Sequence, residues 1–306
     1  MTTLDLPVAD TRAGLSARTR TLCVLFFFSG FPALIYQLTW QRALFRIFGV
    51  NSESVTIVVS AFMLGLGLGS LAGGWVSRRR HISLLPLLAA IELATAIFGS
   101  VSLGAFDYVG ALVVDWPLPL VAAVNLLLVL IPTLLMGATL PILVSHLVRS
   151  SGEVGGSVGL LYYANTMGAG AACLLSCALL FPFLGMRHSV LVAVSLNIAV
   201  AFCAVVIHAL HGNQVQSEVA SVQKPASGAD IGLFPTILLA ALGGFISLSY
   251  EIYLFRIVSY ASGSSATTFA LTLGCFLFGI AGGARSAGKH CEEASHTGAE
   301  IGRAHV

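Results

Sequence analysis

Long apolar segments separated by short polar stretches dominate the chain. A helix needs about 20 mainly apolar residues to cross a bilayer, and only helices or closed barrels satisfy the backbone in lipid. The segments are too long for barrel strands, so the pattern predicts an all-α polytopic membrane protein with about eight transmembrane helices. The predicted spans are 21–45, 52–76, 82–106, 118–146, 154–183, 187–209, 233–258 and 264–284. Pro132 and Pro141 favour division of the fourth segment into a spanning helix and a short interfacial one.

Composition agrees with this pattern. The 306 residues are 57% hydrophobic and only 9% charged, whereas soluble domains carry about 25% charged residues. So few charges cannot cover a soluble globule of this size, which excludes a soluble enzyme, a nucleic-acid-binding domain and a disordered chain. The lipid bilayer is therefore the first predicted partner, and no nucleic acid is expected.

Lysines and arginines near the span ends predict the orientation, because they concentrate in cytoplasmic loops. With a cytoplasmic N-terminus most basic groups fall inside, and Arg46 and Arg187 are the exceptions. The inside groups are Arg12, Arg18, Arg20, Arg78, Arg79, Arg80, Arg149, Lys224, Arg285 and Lys289.

An internal repeat relates the beginning of the chain to its end. Residues 30–74 align with 244–288 without a gap after a shift of 214 positions. The matched pairs include Tyr36 with Tyr250, Gln37 with Glu251, and Arg42 with Arg256. Because six helices separate the copies, both begin on the same side of the membrane. Such a parallel repeat is typical of the two six-helix halves of major facilitator transporters.

The repeat predicts the domain organisation. We expect a cytoplasmic tail at 1–20, a six-helix half at 21–209, a cytoplasmic linker at 210–232, the first two helices of a second half at 233–288, and a polar tail at 289–306. The tail ends in EIGRAHV, which one frame of a common sequencing adapter encodes. We therefore expect the tail to be artefactual and the second half to be truncated.

Two glycine-rich patterns carry alternative interpretations. Gly65, Gly67 and Gly69 resemble a nucleotide-binding loop, but such a loop follows a strand and precedes an acidic residue. Both features are missing, so the spacing of Gly65, Gly69 and Gly73 favours close packing of helices. Ala164, Gly168 and Ala172 form a second stripe of the same kind.

Ionisable side chains inside spans are costly and are candidates for function. Glu92 and Glu251 are acids well inside predicted spans, and Gln37, Tyr36 and Tyr250 accompany them as candidate substrate contacts. The alternative is that such groups only anchor helices, which we favour for Arg42 and Arg256 near the span ends. Cys173 and Cys177 have no third ligand nearby, so no metal site is expected.

Three segments resemble a known family. Phe27–Gly74, Met136–Leu143 (MGATLPIL) and Val158–Gly185 are similar to bacterial membrane-embedded spermidine synthase-like proteins, including the fused major facilitator/spermidine synthases. The resemblance implies a location in the bacterial inner membrane and a soluble Rossmann-like domain after the helices. That missing domain would transfer an aminopropyl group from its cosubstrate, decarboxylated S-adenosylmethionine, to putrescine.

No segment of this chain matches such a catalytic domain, so no catalytic residue or cofactor is assigned and the chain alone is expected to be inactive. The resemblance instead implies a membrane portion that handles polyamines or related small cations. The alternative is a major-facilitator-type transporter of another small molecule. Gly73–Arg80 (GGWVSRRR) resembles a facilitator loop motif, although Ser77 stands where that motif carries an acid.

Overall fold

A computed structural model describes residues 8–48, 52–79, 81–113, 115–151, 155–215, 232–261 and 266–304. Every regular element in these ranges is helical, which confirms the all-α prediction. The helices are α1 (Val8–Phe48), α2 (Ser52–Ser77), α3 (Leu84–Leu112), α4 (Leu118–Ser151), α5 (Gly155–Leu175), α6 (Gly185–Val215), α7 (Leu233–Ala261) and α8 (Ala266–Ala304). A π-helical segment, Ser176–Leu184, joins α5 to α6.

Seven stretches of the described residues are long and apolar enough to cross a membrane. Six lie in single helices, and the seventh, Ser157–Leu210, runs for 54 residues through α5, the π-helical segment and α6. These stretches support a multi-pass membrane protein.

The chain reverses direction within the 54-residue stretch. Leu161 near the start of α5 shares one apolar cluster with Leu22, and Ala172 near its end shares another with Ile35 further along α1, so α5 runs parallel to α1. In contrast, Val190 at the start of α6 packs in the cluster that holds Phe106 near the end of α3. Gly185 lies at the reversal with a φ of 69°, which glycine adopts without steric cost.

Helix α1 is the centre of the bundle formed by α1–α6. Ile35, Tyr36 and Trp40 on α1 have no exposed surface and pack against residues of α3, α5 and α6. The indole of Trp40 stacks on the Tyr36 ring, with centroids 5.0 Å apart. In the membrane, close packing of this kind rather than burial from water holds helices together.

Helix α4 is one continuous helix across both prolines, so the expected division into two helices is wrong. Prolines are tolerated in membrane helices because neighbouring helices and hydroxyl side chains satisfy the freed backbone groups. Thr133, which directly follows Pro132, donates its hydroxyl to the carbonyls of Val129 at 2.8 Å and Leu130 at 3.0 Å, beside the Leu128 carbonyl that lacks a donor from Pro132. α2 packs closely against this part of α4, where Gly65 and Gly69 face Thr133 and Leu134.

Helices α7 and α8 differ in their surroundings. α8 packs closely on α5, where a Cβ added at Gly159 would lie 2.8 Å from the Cα of Gly288. The apolar stretch of α7, Phe234–Ala261, has no buried residues. The break between α7 and α8 falls at the repeat position of the α1–α2 break, since Ser52 and Ala266, which begin α2 and α8, are 214 positions apart.

Several helix ends differ from the predicted span ends. α1 begins at Val8 and includes part of the predicted tail, and α8 continues from the predicted end at 284 to Ala304. Helices extend beyond the apolar core because polar side chains outside lipid do not stop a hydrogen-bonded helix. Most of the predicted linker, residues 216–231, lies outside the described residues.

Candidate functional site

A small cleft between α7 and α8 surrounds the carboxylate of Glu251. The cleft is partly open, and its lining residues are Glu251, Leu254, Phe255, Phe269, Thr272, Leu273 and Phe276. The α8 residues recur at helical spacing and therefore occupy one face. Phe255 and Phe269 meet edge to face across the two helices, with ring centroids 5.0 Å apart. The cleft therefore combines one acid, one hydroxyl and an aromatic wall.

The Oε1 atom of Glu251 is buried and has no hydrogen-bond partner. Thr272 does not satisfy it, because the Thr272 hydroxyl donates to the carbonyl of Thr268 at 2.8 Å. A buried polar atom without a partner costs free energy, and a carboxylate recovers that cost best from a cation or a strong donor. The Oε1 atom of Glu251 is thus the acceptor in this cleft to which a ligand can donate a hydrogen bond.

Helix α5 places one further polar group, Cys173, near Glu251, and Arg42 of α1 lies further along the same stretch of chain. Cys173 on α5 lies within electrostatic range of both Cys177 and Glu251. Arg42 on α1 lies within electrostatic range of Cys177, and its guanidinium carbon is 4.0 Å from the centroid of the Phe181 ring. Glu251 thus lies near α5, whereas Arg42 lies against the π-helical segment that follows α5.

Glu92 lies in a different environment, inside the bundle of α1–α6. Only 3% of its surface is exposed, and its Oε1 accepts a hydrogen bond from the Ser29 hydroxyl at 2.5 Å. Seven residues further along both helices, Tyr36 faces Gly99. The Nε1 of Trp40 donates to the Ser102 hydroxyl at 2.9 Å. These contacts keep one register between two parallel helices, α1 and α3.

The residues predicted to contact substrate therefore do not form one site but lie in different parts of the structure. Glu92 and Tyr36 belong to the α1–α3 interface, and the buried Tyr36 hydroxyl has no hydrogen-bond partner. Gln37 is also buried on α1, with 7% of its surface exposed. Tyr250 is 59% exposed on α7. Of the predicted set, only Glu251 lines the cleft.

The residues predicted to serve packing lie at helix contacts or near them. Gly65, Gly69 and Gly73 face Thr133, Leu134 and Ala138 of α4, whereas a Cβ added at Gly67 would meet nothing within 4 Å. On α5, Gly168 faces the backbone of Phe27, and Ala164 and Ala172 are buried beside it. Arg256 is exposed.

Sequence analysis missed the aromatic wall and the cation–π contact of Arg42. Phe269, Thr272, Leu273 and Phe276 carry a signal, since their spacing marks one face of α8. The packing of that face against α7 appears only in the structure. Within the described residues, no group of three His, Cys, Asp or Glu side chains is placed to hold a metal ion.

Comparison of the chain with protein-family models, curated proteins and solved structures found no match. The family resemblance of the sequence therefore supports a proposal only.

Proposed function

We propose that the chain is the membrane portion of a spermidine synthase-like protein and that its cleft between α7 and α8 binds polyamines or related small cations. The observation that carries this proposal is the buried Oε1 of Glu251, which has no hydrogen-bond partner. An ammonium group donates up to three hydrogen bonds to such an acceptor.

The aromatic wall favours the same class of ligand. Phe255, Phe269 and Phe276 line the cleft around Glu251, and ring faces attract ammonium groups within about 6 Å. The methylene groups of a polyamine suit the apolar remainder of the cleft, Leu254 and Leu273. A carboxylate with neighbouring rings thus fits both parts of an alkylammonium ion.

The helix arrangement supports a facilitator-like layout of the membrane portion. The reversal between α5 and α6 gives the 54-residue stretch two crossings, so the proposed total is eight. Since α5 belongs to the first proposed half and α8 to the second, their close contact joins the halves. With the N-terminus in the cytoplasm of a bacterium, the α2–α3 turn lies on the cytoplasmic side of the inner membrane.

The same layout favours a second candidate function, a major-facilitator-type transporter whose substrate is another small molecule. The observation in its favour is the contact of the two proposed halves through α5 and α8, next to which Glu251 lies. A transporter of this class keeps its site between two halves near the middle of the bilayer. Substrate identity separates the two functions, and the first predicts polyamines.

Binding of labelled spermidine and putrescine to the chain in lipid nanodiscs tests the proposal. We expect Glu251→Gln to weaken spermidine binding at least tenfold, which corresponds to about 1.4 kcal/mol. Asp115→Asn is the matched control, because Asp115 is exposed in the α3–α4 turn outside the helices. Circular dichroism establishes that both variants keep the helical content of the parent.

Two results would contradict the proposal. One is equal binding of spermidine by the parent and Glu251→Gln, which makes Glu251 structural. The other is saturable binding of a different small molecule that spermidine does not displace, which favours the transporter. For the chain alone, we also expect no spermidine formation from putrescine and decarboxylated S-adenosylmethionine.

A further inference from the structure

The turn between α2 and α3 carries a group of exposed cations beside an exposed tryptophan. Arg78, Arg79 and His81 are all exposed in this turn, and 61% of the surface of Trp75 is exposed at the end of α2. The guanidinium carbon of Arg79 lies 4.0 Å from the centroid of the Trp75 ring. Tryptophan concentrates where lipid headgroups meet hydrocarbon, so this contact places the arginines at headgroup level.

The carbonyl groups at the end of α2 do not bind the guanidinium groups of Arg78 and Arg79, because another arginine already binds them. The negative end of a helix dipole ordinarily attracts cations, but here Arg149 of α4 occupies it. Nη2 of Arg149 donates to the carbonyl of Ser77 at 2.5 Å and to that of Arg79 at 3.5 Å. The Ser145 hydroxyl reinforces this contact by donating to the Ser77 hydroxyl at 2.9 Å. The guanidinium groups of Arg78 and Arg79 thus remain available to another anion.

Among the acids whose side chains the structure describes, Glu92, Asp107, Asp115 and Glu251, none lies in this turn. Asp107 and Asp115 lie at the far end of α3 and in the turn that follows it. Glu92 is buried in the interior and accepts its hydrogen bond from Ser29. Arg78 and Arg79 therefore present positive charge at an exposed surface of the protein.

We propose that Arg78, Arg79 and Trp75 form a binding site for the headgroup phosphate of an anionic phospholipid. Apolar surface continues below the arginines, since Leu71 lies one helical turn before Trp75 and 72% of its surface is exposed. A phospholipid matches both parts, because its phosphate meets the guanidinium groups and its acyl chain covers Leu71 and Trp75. A soluble phosphate matches only the first part. This site is independent of Glu251 and of the proposed function.

Quenching of Trp75 fluorescence by brominated phosphatidylglycerol tests this site. The full chain is placed in phosphatidylcholine nanodiscs that contain increasing fractions of the brominated lipid. The difference between the parent and Trp75→Phe gives the signal of Trp75. Each cation near an anionic lipid surface contributes about 1 kcal/mol, so Arg78→Gln is expected to weaken the lipid preference about fivefold. In the Arg78→Gln/Arg79→Gln double variant, the preference for phosphatidylglycerol over phosphatidylcholine is expected to fall about 25-fold.

Arg187→Gln is the control, because Arg187 is exposed at the start of α6, at the opposite end of the bundle. It should leave the quenching curve unchanged, and circular dichroism should show parental helix content in every variant. Brominated phosphatidylcholine that quenches Trp75 as efficiently would overturn the proposal. If Arg187→Gln weakens quenching as much as Arg78→Gln does, the lipid preference arises from the overall surface charge and not from a site at Arg78 and Arg79. Displacement by inorganic phosphate at tens of millimolar would assign the site to a soluble anion instead.

Discussion

Replacement of Gly69 by alanine tests the close contact between α2 and α4. A Cβ at Gly69 would lie 2.8 Å from the carbonyl carbon of Leu134 and 2.9 Å from its Cα, and it would approach the carbonyl oxygen still more closely. Ordinary contacts of this kind are about 3.5–4.0 Å, so the helices must separate by roughly 1 Å. The added Cβ collides with the backbone of Leu134, so no change of side-chain rotamer relieves the contact.

The expected cost follows from two opposing terms. Overpacking of a well-packed contact costs about 1–3 kcal/mol, and a backbone obstacle places Gly69→Ala at the upper end. Alanine regains about 1 kcal/mol through its higher helix propensity. We therefore expect Gly69→Ala to lower the free energy of unfolding by about 2 kcal/mol.

Gly67→Ala is the matched control on the same helix. A Cβ at Gly67 would have no neighbour within 4 Å, so this variant gains only the propensity term of up to about 1 kcal/mol. Unfolding in detergent micelles by increasing mole fractions of SDS, followed by circular dichroism, measures both values. If the two variants have the same free energy of unfolding within 0.5 kcal/mol, as an order-of-magnitude limit for independent sites, the packing argument is wrong.

Three further substitutions probe α1 by the same unfolding measurement. Ser29→Ala leaves a buried oxygen of Glu92 without its donor, and we expect a loss of about 1–3 kcal/mol; an unchanged unfolding curve would contradict the Ser29–Glu92 hydrogen bond. Trp40→Phe removes the donor to Ser102 and also leaves a cavity, so the loss should exceed about 1 kcal/mol, and in the Ser102→Ala background it should be smaller by about 1 kcal/mol. Gly168→Ala inserts a Cβ against the backbone of α1, and a loss of about 2 kcal/mol is expected; a stabilised variant would show that α5 and α1 are not in close contact.

Hydropathy predicts the helices of this protein well because lipid imposes one requirement on every span. A run of apolar residues long enough to cross the bilayer must be helical, and so α2 was expected at 52–76 and lies at Ser52–Ser77. The continuous α4 was harder to predict, because a proline breaks most soluble helices. The glycines of α2 that pack against α4 contribute to the outcome, and such tertiary contacts are not visible in the sequence of α4.

The partners of polar residues were beyond prediction for a related reason. In a membrane helix both the lipid-facing and the buried sides are apolar, so the sequence pattern hardly distinguishes them. Glu92 and Glu251 look alike in the sequence, yet one is paired with Ser29 and the other has an oxygen without a partner. The difference arises from the register between helices, which depends on shape complementarity at contacts such as that of Tyr36 with Gly99.

The central position of α1 has a consequence for biosynthesis. Helix α1 carries the buried Ser29, Gln37 and Gln41, and the α5 surface that packs on it, around Asn165, is synthesised 136 residues after Ser29. At about 5–20 residues per second, this interval lasts roughly 7–27 s. During that time the polar face of α1 needs a temporary companion, so we expect the insertion machinery to retain α1 at its lateral exit until α5 has entered the membrane.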